Sequence, residues 1–206
     1  MLFLSRIEFR QNDAARFLLD DRERIHAALA AVFDGDPRIL WVLEPRQPRS
    51  VIAQSHQLPD WTRFRPAHAL ASTETKSFEP RVQKNVVYVF RLCANVARTT
   101  HDDTGHHKRR AILDTTEQLA WLERHLTAAG AESMQRLAFP GGAQRANKTR
   151  WTNTRRLHGG ERLHNVVIFS GTLRVIDATR FGAALEHGIG PAKAFGYGML
   201  QIAPII

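Results

Sequence analysis

The sequence predicts an α+β fold in which two similar units follow one another along the chain, each with an antiparallel sheet. Three observations support this prediction. The 206 residues give room for two compact domains, and hydrophobic residues make up 43% of them, enough for a core. Short apolar segments alternate with helical patterns, and the order of these elements in the first half returns in the second half.

The first half opens with an apolar strand at 2–9, LFLSRIEF. A helix is predicted over 20–33, because acidic residues precede four apolar residues at helical spacing: Ile25, Leu29, Val32 and Phe33. The other strands predicted in this half are 38–44, 50–55 and 85–98. Residues 56–80 show no clear period and are expected to form a loop with at most a short helix.

The second half begins after a polar, histidine-rich link. A helix that starts with a capping-box pattern and stops at Gly130 is expected next. The predicted elements are a helix at 115–130, a strand at 132–140, a basic arm at 141–162, a strand at 163–176, a helix at 177–188 and a strand at 197–205.

Both halves fit the β-α-β-β-α-β plan of ferredoxin-like (RRM-like) domains, although no second helix is visible in the first half. We therefore predict two tandem ferredoxin-like domains at 1–98 and 112–206, joined by a linker at 99–111. A single mixed α+β domain without internal duplication is the alternative.

The charge balance indicates a polyanionic partner. Lys and Arg number 29 against 20 Asp and Glu, a formal net charge of +9, and the sequence pI is near 10.7. Nucleic acid is the commonest partner of so basic a chain, and general surface solubility is the alternative. An anionic membrane is a weaker one, because no apolar run approaches the roughly 20 residues that span a bilayer.

The compartment is predicted from the cysteine content and the opening residues. The single cysteine, Cys93, excludes an intramolecular disulfide and a cysteine-built zinc site, and it fits a reducing cytoplasm. The opening MLFLSRIEFR is not expected to be a signal peptide, because charge interrupts its apolar run and no small-residue cleavage site follows.

A glycine-rich segment, GIGPAKAFGYG, lies between the last predicted helix and the last strand. Backbone amides of such a turn can form an anion-binding nest, to which Lys193 could add charge. A tight connection that buries Phe195 is the alternative, but it explains one or two glycines more easily than four: Gly188, Gly190, Gly196 and Gly198.

This ending resembles the glycine-rich loop of CRISPR repeat-processing endoribonucleases. The longer GIGPAKAFGYGMLQIAP, preceded by FSGTLRVIDATRFGAALEHGIG, is similar to the type I-E family CasE, a subunit of the Cascade complex. The resemblance extends over the N-terminal strand, the first helix and EQLAWLERH. It implies two tandem ferredoxin-like domains, cleavage of the repeat RNA 3′ of a short stem-loop, and no metal or cofactor. It also implies that the four glycines shape the RNA cleft and that Lys193 contacts phosphate.

His26 is the candidate catalytic residue. Helical geometry places it on the shoulder of the apolar stripe, where it is partly sheltered and can titrate near neutrality. A surface histidine without a role is the alternative, since the chain has 10 histidines. The resemblance implies that His26 is the base or the acid when an RNA 2′-hydroxyl attacks the adjacent phosphorus.

One departure from the family concerns the turn before this histidine. Some members have a tyrosine there, whereas this chain has Glu23, whose charge could raise the pKa of His26. A tyrosine-assisted step is therefore not expected. Arg22 could face the RNA phosphate instead, or form an exposed salt bridge.

Two basic segments are candidate RNA contacts. The arm at 144–156 has no acidic residue, and in a β-hairpin alternate side chains would form a phosphate-binding ridge. A flexible, solvated arm is the alternative. HDDTGHH, at 101–107, contains metal-ligating residue types at a spacing that matches no ligand arrangement, so no metal site is predicted. The candidate RNA-binding residues of the arm and the linker are Arg145, Lys148, Arg150, Arg155 and Arg156, and Lys108, Arg109 and Arg110.

These observations lead to one functional prediction and two alternatives. The prediction is a metal-independent endoribonuclease that cuts CRISPR repeat RNA, keeps the product and joins the other Cascade subunits, with no membrane partner. A non-catalytic stem-loop RNA-binding assembly subunit is the first alternative. A basic protein of unrelated function is the second, and it predicts no preference for a hairpin over a scrambled RNA.

Overall fold

The computed structural model describes residues 1–33, 36, 38–44, 50–101, 107–146 and 162–205, and only the backbone of 101, 107–109, 141–146, 162 and 163. The strands are β1 (Leu2–Phe9), β2 (Leu40–Glu44), β3 (Ser50–Ser55), β4 (Leu70–Phe78), β5 (Val87–Asn95), β6 (Ala97–His101), β7 (His107–Ala111), β8 (Ala131–Ala146), β9 (Arg162–Val175) and β10 (Leu200–Pro204). The helices are α1 (Asp13–Leu19), α2 (Arg22–Val32), α3 (Thr115–Ala128) and α4 (Ala178–His187).

The chain forms two compact units. The first unit includes Met1–Glu79 and the short segment Lys193–Gly196. The second unit includes Pro80–Gln144, His164–Ala192 and Tyr197–Ile206. Lys193–Gly196, which lies in the predicted glycine-rich loop, thus belongs to the same unit as the helix that carries His26.

The first unit contains a four-stranded antiparallel sheet in the order β2-β3-β1-β4. This is the ferredoxin-like order, in which the first strand lies between the third and the fourth. α1 and α2 follow β1, and two 3-10 turns, Trp61–Arg63 and Ala67–Ala69, precede β4 in place of a second long helix. The large side chains that are fully buried in the core of this unit are Ile7, Ile25, Leu29, Phe33, Trp41 and Phe64.

The second unit repeats this architecture more regularly. Its elements follow one another as β5-α3-β8-β9-α4-β10, and its antiparallel sheet has the order β10-β5-β9-β8. β5 is therefore the central first strand of this sheet, paired with β9 on one side and β10 on the other. Two four-stranded antiparallel sheets in ferredoxin-like order confirm the predicted fold class.

Aspartate side chains fix the starts of the main helices. Asp21 accepts a hydrogen bond from the backbone N–H of Glu23, so α2 begins at Arg22. Asp114 and Asp177 accept equivalent hydrogen bonds at the starts of α3 and α4.

None of the helices in the described ranges is both long and apolar enough to cross a membrane.

Three local predictions differ from the structure. The irregular segment predicted at 56–80 contains β4, a strand whose largely polar sequence LASTETKSF gives almost no apolar alternation. The short helix α1 was not predicted; it is started by Asn12, whose side chain accepts from the backbone N–H of Ala15. The polar link forms the paired strands β6 and β7.

The strand predicted at 85–98 exists, but it pairs within the second sheet and does not close the first one. β4 takes that closing position beside β1. An apolar strand carries no sequence signal of its partner, so the pattern alone could not assign it. The predicted domain limits, 1–98, 99–111 and 112–206, stay a prediction.

Candidate functional site

His26 lies in α2, within the first unit, and its side chain is half-buried. Arg22 is four residues earlier, so the two side chains are neighbours on one helix face, with Cβ atoms about 5–6 Å apart in an α-helix. The fully buried face of α2 is formed by Ile25 and Leu29. His26 is therefore beside the core-facing stripe, as the helical spacing predicted.

The surroundings of His26 favour a neutral imidazole. Burial lowers the pKa of His26 below its ordinary value of 6.5, and this outweighs the carboxylate of Glu23, which raises the pKa. The Nδ1 atom of His26 is buried and has no hydrogen-bond partner among the described residues. At neutral pH the ring is therefore ready to accept a proton.

The four predicted glycines adopt backbone conformations that other residues rarely take: φ is 71° at Gly188, 78° at Gly190, 75° at Gly196 and 84° at Gly198. At Gly198 a Cβ would lie 2.3 Å from the backbone oxygen of Ile189. The same segment is closed by backbone bonds, from Ile189 N to Gly198 O and from Gly198 N to Cys93 O, both 2.7 Å. All four positions thus require glycine for backbone geometry.

Lys193–Phe195 forms a 3-10 turn that packs against α2 and β2 in the first unit. Arg22 is buried, and its Nη1 donates to the carbonyl oxygens of Phe195 at 2.9 Å and Gly196 at 3.5 Å. Trp41, in β2, donates from Nε1 to the carbonyl oxygen of Ala194 at 3.2 Å. The structure thus brings the turn to the helix face that Arg22 shares with His26.

Positive charge is concentrated at this turn. Lys193 is half-buried, and burial together with the nearby Arg38 guanidinium lowers the pKa of its ammonium group. Arg38, just before β2, is exposed. Two cations close enough to perturb one another are typical of a surface that binds an anion.

The other predicted RNA-binding residues have different placements. Arg22 is buried and donates hydrogen bonds to carbonyl oxygens of the turn, so its side chain is not exposed; a contact with RNA stays a prediction. Arg110 is exposed in β7. Lys108 and Arg109 lie in β7, and Arg145 lies in β8, with side chains outside the described part. Lys148, Arg150, Arg155 and Arg156 fall outside the described residues, so their roles stay predictions.

Sequence reasoning missed two residues of this site, Trp41 and Arg38. Trp41 is fully buried in β2. A buried indole N–H needs an acceptor, so a tryptophan in a predicted apolar strand could have indicated a polar contact. Arg38 had no such signal, since its position beside Lys193 depends on the fold.

Within the described ranges, no group of three or more His, Cys, Asp or Glu side chains could hold a metal ion.

Comparisons with known proteins agree with this fold. The sequence model described as "CRISPR associated protein" matches residues 2–204. The CRISPR-associated endoribonuclease Cse3 of Thermus thermophilus is 34% identical over 204 residues, which cover 93% of this chain and 94% of that protein. The CRISPR system Cascade subunit CasE of Escherichia coli is 31% identical over 169 residues, which cover 75% and 74%.

Solved structures give the same result. Thermus thermophilus Cse3, bound to an RNA representing a pre-cleavage complex, superposes with a TM-score of 0.81 at 30% identity, over 98% of this chain and 99% of that one. The resemblance to CasE inferred from the glycine-rich ending is confirmed. The chain belongs to the family of CRISPR associated proteins that includes Cse3 and CasE.

Proposed function

We propose that this protein is the endoribonuclease that cuts CRISPR repeat RNA into crRNA and remains bound to the product as a subunit of a Cascade complex. The observation that carries the proposal is the match, over almost the whole chain, to Cse3, an endoribonuclease whose structure is known with a pre-cleavage RNA. The similarity to the Cascade subunit CasE supports the assembly partner. The excess of basic residues suits an RNA substrate.

We infer that His26 is the general base of this reaction. Its lowered pKa keeps the imidazole neutral at pH 7, so it can accept the proton of the RNA 2′-hydroxyl. The 2′-oxygen then forms a bond to the adjacent phosphorus, and the bond from phosphorus to the 5′-oxygen of the next nucleotide breaks. The leaving oxygen takes up a proton, and the 5′ product ends in a 2′,3′-cyclic phosphate.

The nucleophile in this scheme is part of the substrate, so the protein supplies position and charge. Lys193 and Arg38 provide positive charge at the turn that packs on α2, where it would stabilise the phosphate as negative charge develops. Neither step requires a metal ion, and the reaction is therefore expected to continue in a chelator.

Some family members have a tyrosine one turn before the histidine, where this chain has Glu23. Its carboxylate cannot donate a hydrogen bond to phosphate, but it does hold the pKa of His26 higher than burial alone would. We propose that the cations of the turn, with backbone amides, provide the anion stabilisation that a phenol could otherwise give. The basic residues of the 144–156 arm and of β7 are proposed to hold the RNA stem, and the cytoplasm is the proposed location.

A cleavage assay in EDTA tests the proposal. The substrate is a stem-loop repeat RNA from the CRISPR array of the host, compared with the same RNA carrying one 2′-deoxy nucleotide 5′ of the scissile phosphate. We expect one cut 3′ of the stem, a cyclic phosphate end, and no cut in the deoxy substrate, which should bind equally well. Tight binding without a cut in either RNA would instead identify a non-catalytic RNA-binding subunit.

A further inference from the structure

We propose that Arg22 and Trp41 are positioning residues: together they clamp the turn Lys193–Phe195 onto α2, beside the helix turn that carries His26. This inference rests on the proposed function for its effect on cleavage, but the clamp itself is a structural claim. From the sequence, Arg22 was expected to contact RNA, and Trp41 had no expected role. In this proposal neither residue touches the reacting atoms.

The hydrogen bonds of the clamp fix the carbonyl groups of three consecutive residues. Arg22 donates to the oxygens of Phe195 and Gly196, and the Trp41 indole donates to the oxygen of Ala194. A turn whose carbonyls are held from two elements, α2 and β2, has little freedom to slide along the helix. The position of Lys193, at the start of this turn, is thereby fixed as well.

The two side chains of the clamp also pack against each other. The Arg22 guanidinium lies over the Trp41 ring, 5.6 Å from its centroid, and both side chains are buried. A planar guanidinium can stack on an indole and donate hydrogen bonds in its own plane at the same time, which a lysine ammonium cannot do. Only glycine fits at position 196 beside these two side chains, because a Cβ there would lie 2.6 Å from Trp41 and 2.8 Å from Arg22 Nη1.

The clamp acts at the catalytic histidine through the helix. Arg22 and His26 occupy positions i and i+4 on one face of α2, so whatever Arg22 holds is kept within one helical turn of His26. Shifts of about 1 Å between reacting groups can reduce a rate about 100-fold. A loosened turn should therefore slow cleavage while RNA binding, which depends on many phosphate contacts, is largely kept.

Arg24 provides a matched control on the same helix. Its guanidinium also lies over an aromatic ring, Phe17 at 3.6 Å, and also donates to a backbone carbonyl, Phe17 O at 2.8 Å. These contacts hold α1 and not the turn. Arg22→Met and Arg24→Met thus each remove one positive charge, one ring contact and hydrogen bonding to a backbone carbonyl, and they differ in which segment is released. Arg24→Met also removes an ion pair with Asp21, at 3.6 Å, and its side chain is less buried than that of Arg22.

The test measures single-turnover cleavage, stem-loop RNA affinity and amide hydrogen exchange in Lys193–Gly196. For Arg22→Met we expect a rate about 10- to 100-fold lower, a dissociation constant within about threefold of wild type, and faster exchange in the turn. Arg24→Met should stay within about twofold in both functional measurements and leave exchange unchanged. Trp41→Phe keeps a buried ring and removes the indole donor, so it should show the same effects as Arg22→Met but smaller ones. It replaces Arg22→Met in the test if that variant does not fold.

Each failure points to a different error. Unchanged exchange in the turn of both Arg22→Met and Trp41→Phe overturns the clamp. Faster exchange with an unchanged rate, or equal losses for Arg22→Met and Arg24→Met, overturns its positioning role. A loss of RNA affinity equal to the loss of rate would make Arg22 an RNA contact. A wild-type protein that binds but never cuts overturns the proposed function and leaves the clamp to be judged by exchange.

Discussion

Replacing Gly196 by alanine tests most sharply whether the turn Lys193–Phe195 is packed as described. A Cβ at this position would lie 2.6 Å from Cε3 and Cζ3 of Trp41 and 2.8 Å from Nη1 of Arg22. Trp41 cannot easily withdraw, because it is fully buried and its indole nitrogen is bonded to Ala194. The backbone also has φ of 75°, which alanine adopts only with strain.

The two costs can be estimated separately. Left-handed backbone costs a non-glycine residue about 1–2 kcal/mol, and overpacking a well-filled core typically costs about 1–3 kcal/mol. Gly196→Ala should therefore lower the free energy of unfolding by about 2–5 kcal/mol. For a chain of this size each kcal/mol shifts the melting temperature by about 2–4 °C, so a fall of about 4–20 °C is expected.

Gly182→Ala is the matched control, measured beside Gly196→Ala by thermal and urea unfolding. Gly182 lies inside α4, and no atom is within 4 Å of the position that its Cβ would occupy. Alanine there should leave stability unchanged or raise it by up to about 1 kcal/mol. A Gly196→Ala protein as stable as wild type would refute the packing of the turn on Trp41, and with it the argument for the clamp.

Three further predictions concern His26, Lys193 and a half-buried amide of the second unit. Because burial lowers the pKa of His26 and the neutral ring is the base, kcat/KM should rise with pH through a midpoint below 6.5 and be level at pH 7; a rate that falls over this range would show that the protonated ring acts. Lys193→Gln should slow cleavage and lower the slope of log affinity against log salt by about 1 if Lys193 meets one phosphate, and an unchanged slope would exclude that contact. Asn165→Ala should lower the free energy of unfolding by about 1–3 kcal/mol, because the Asn165 amide donates to Val96 O at 3.1 Å and Ile112 O at 2.7 Å; an unchanged urea midpoint would contradict this.

Much of the fold could be predicted because its main elements carry strong local patterns. β1 was predicted at its observed bounds, and α2 and α4 begin where aspartate caps precede helical spacing. β4 was missed because an edge strand of mostly polar residues has no apolar period. β5 was found but given to the wrong sheet, since strand pairing is a long-range choice that local sequence does not encode.

Some features of the candidate site could also be predicted from the sequence, and others could not. The need for glycine at Gly188, Gly190, Gly196 and Gly198 could be read from their spacing, and each has positive φ. The half-buried position of His26 followed from helix geometry. The contact of Arg22 with residues 173 and 174 positions later could not, because only the folded chain brings them together. The direction in which the His26 pKa shifts could not be predicted from the sequence either, because it depends on burial, which lowers the pKa more than Glu23 raises it.

Replacing His26 by alanine tests the central claim most directly. The rate of stem-loop repeat RNA cleavage in EDTA is compared among wild type, His26→Ala and His187→Ala, which removes an exposed histidine from the end of α4. Removal of a general base should reduce the rate at least about 100- to 10,000-fold, with RNA binding kept, while His187→Ala cuts as wild type does. A His26→Ala protein that cuts at the wild-type rate would contradict the proposed chemistry.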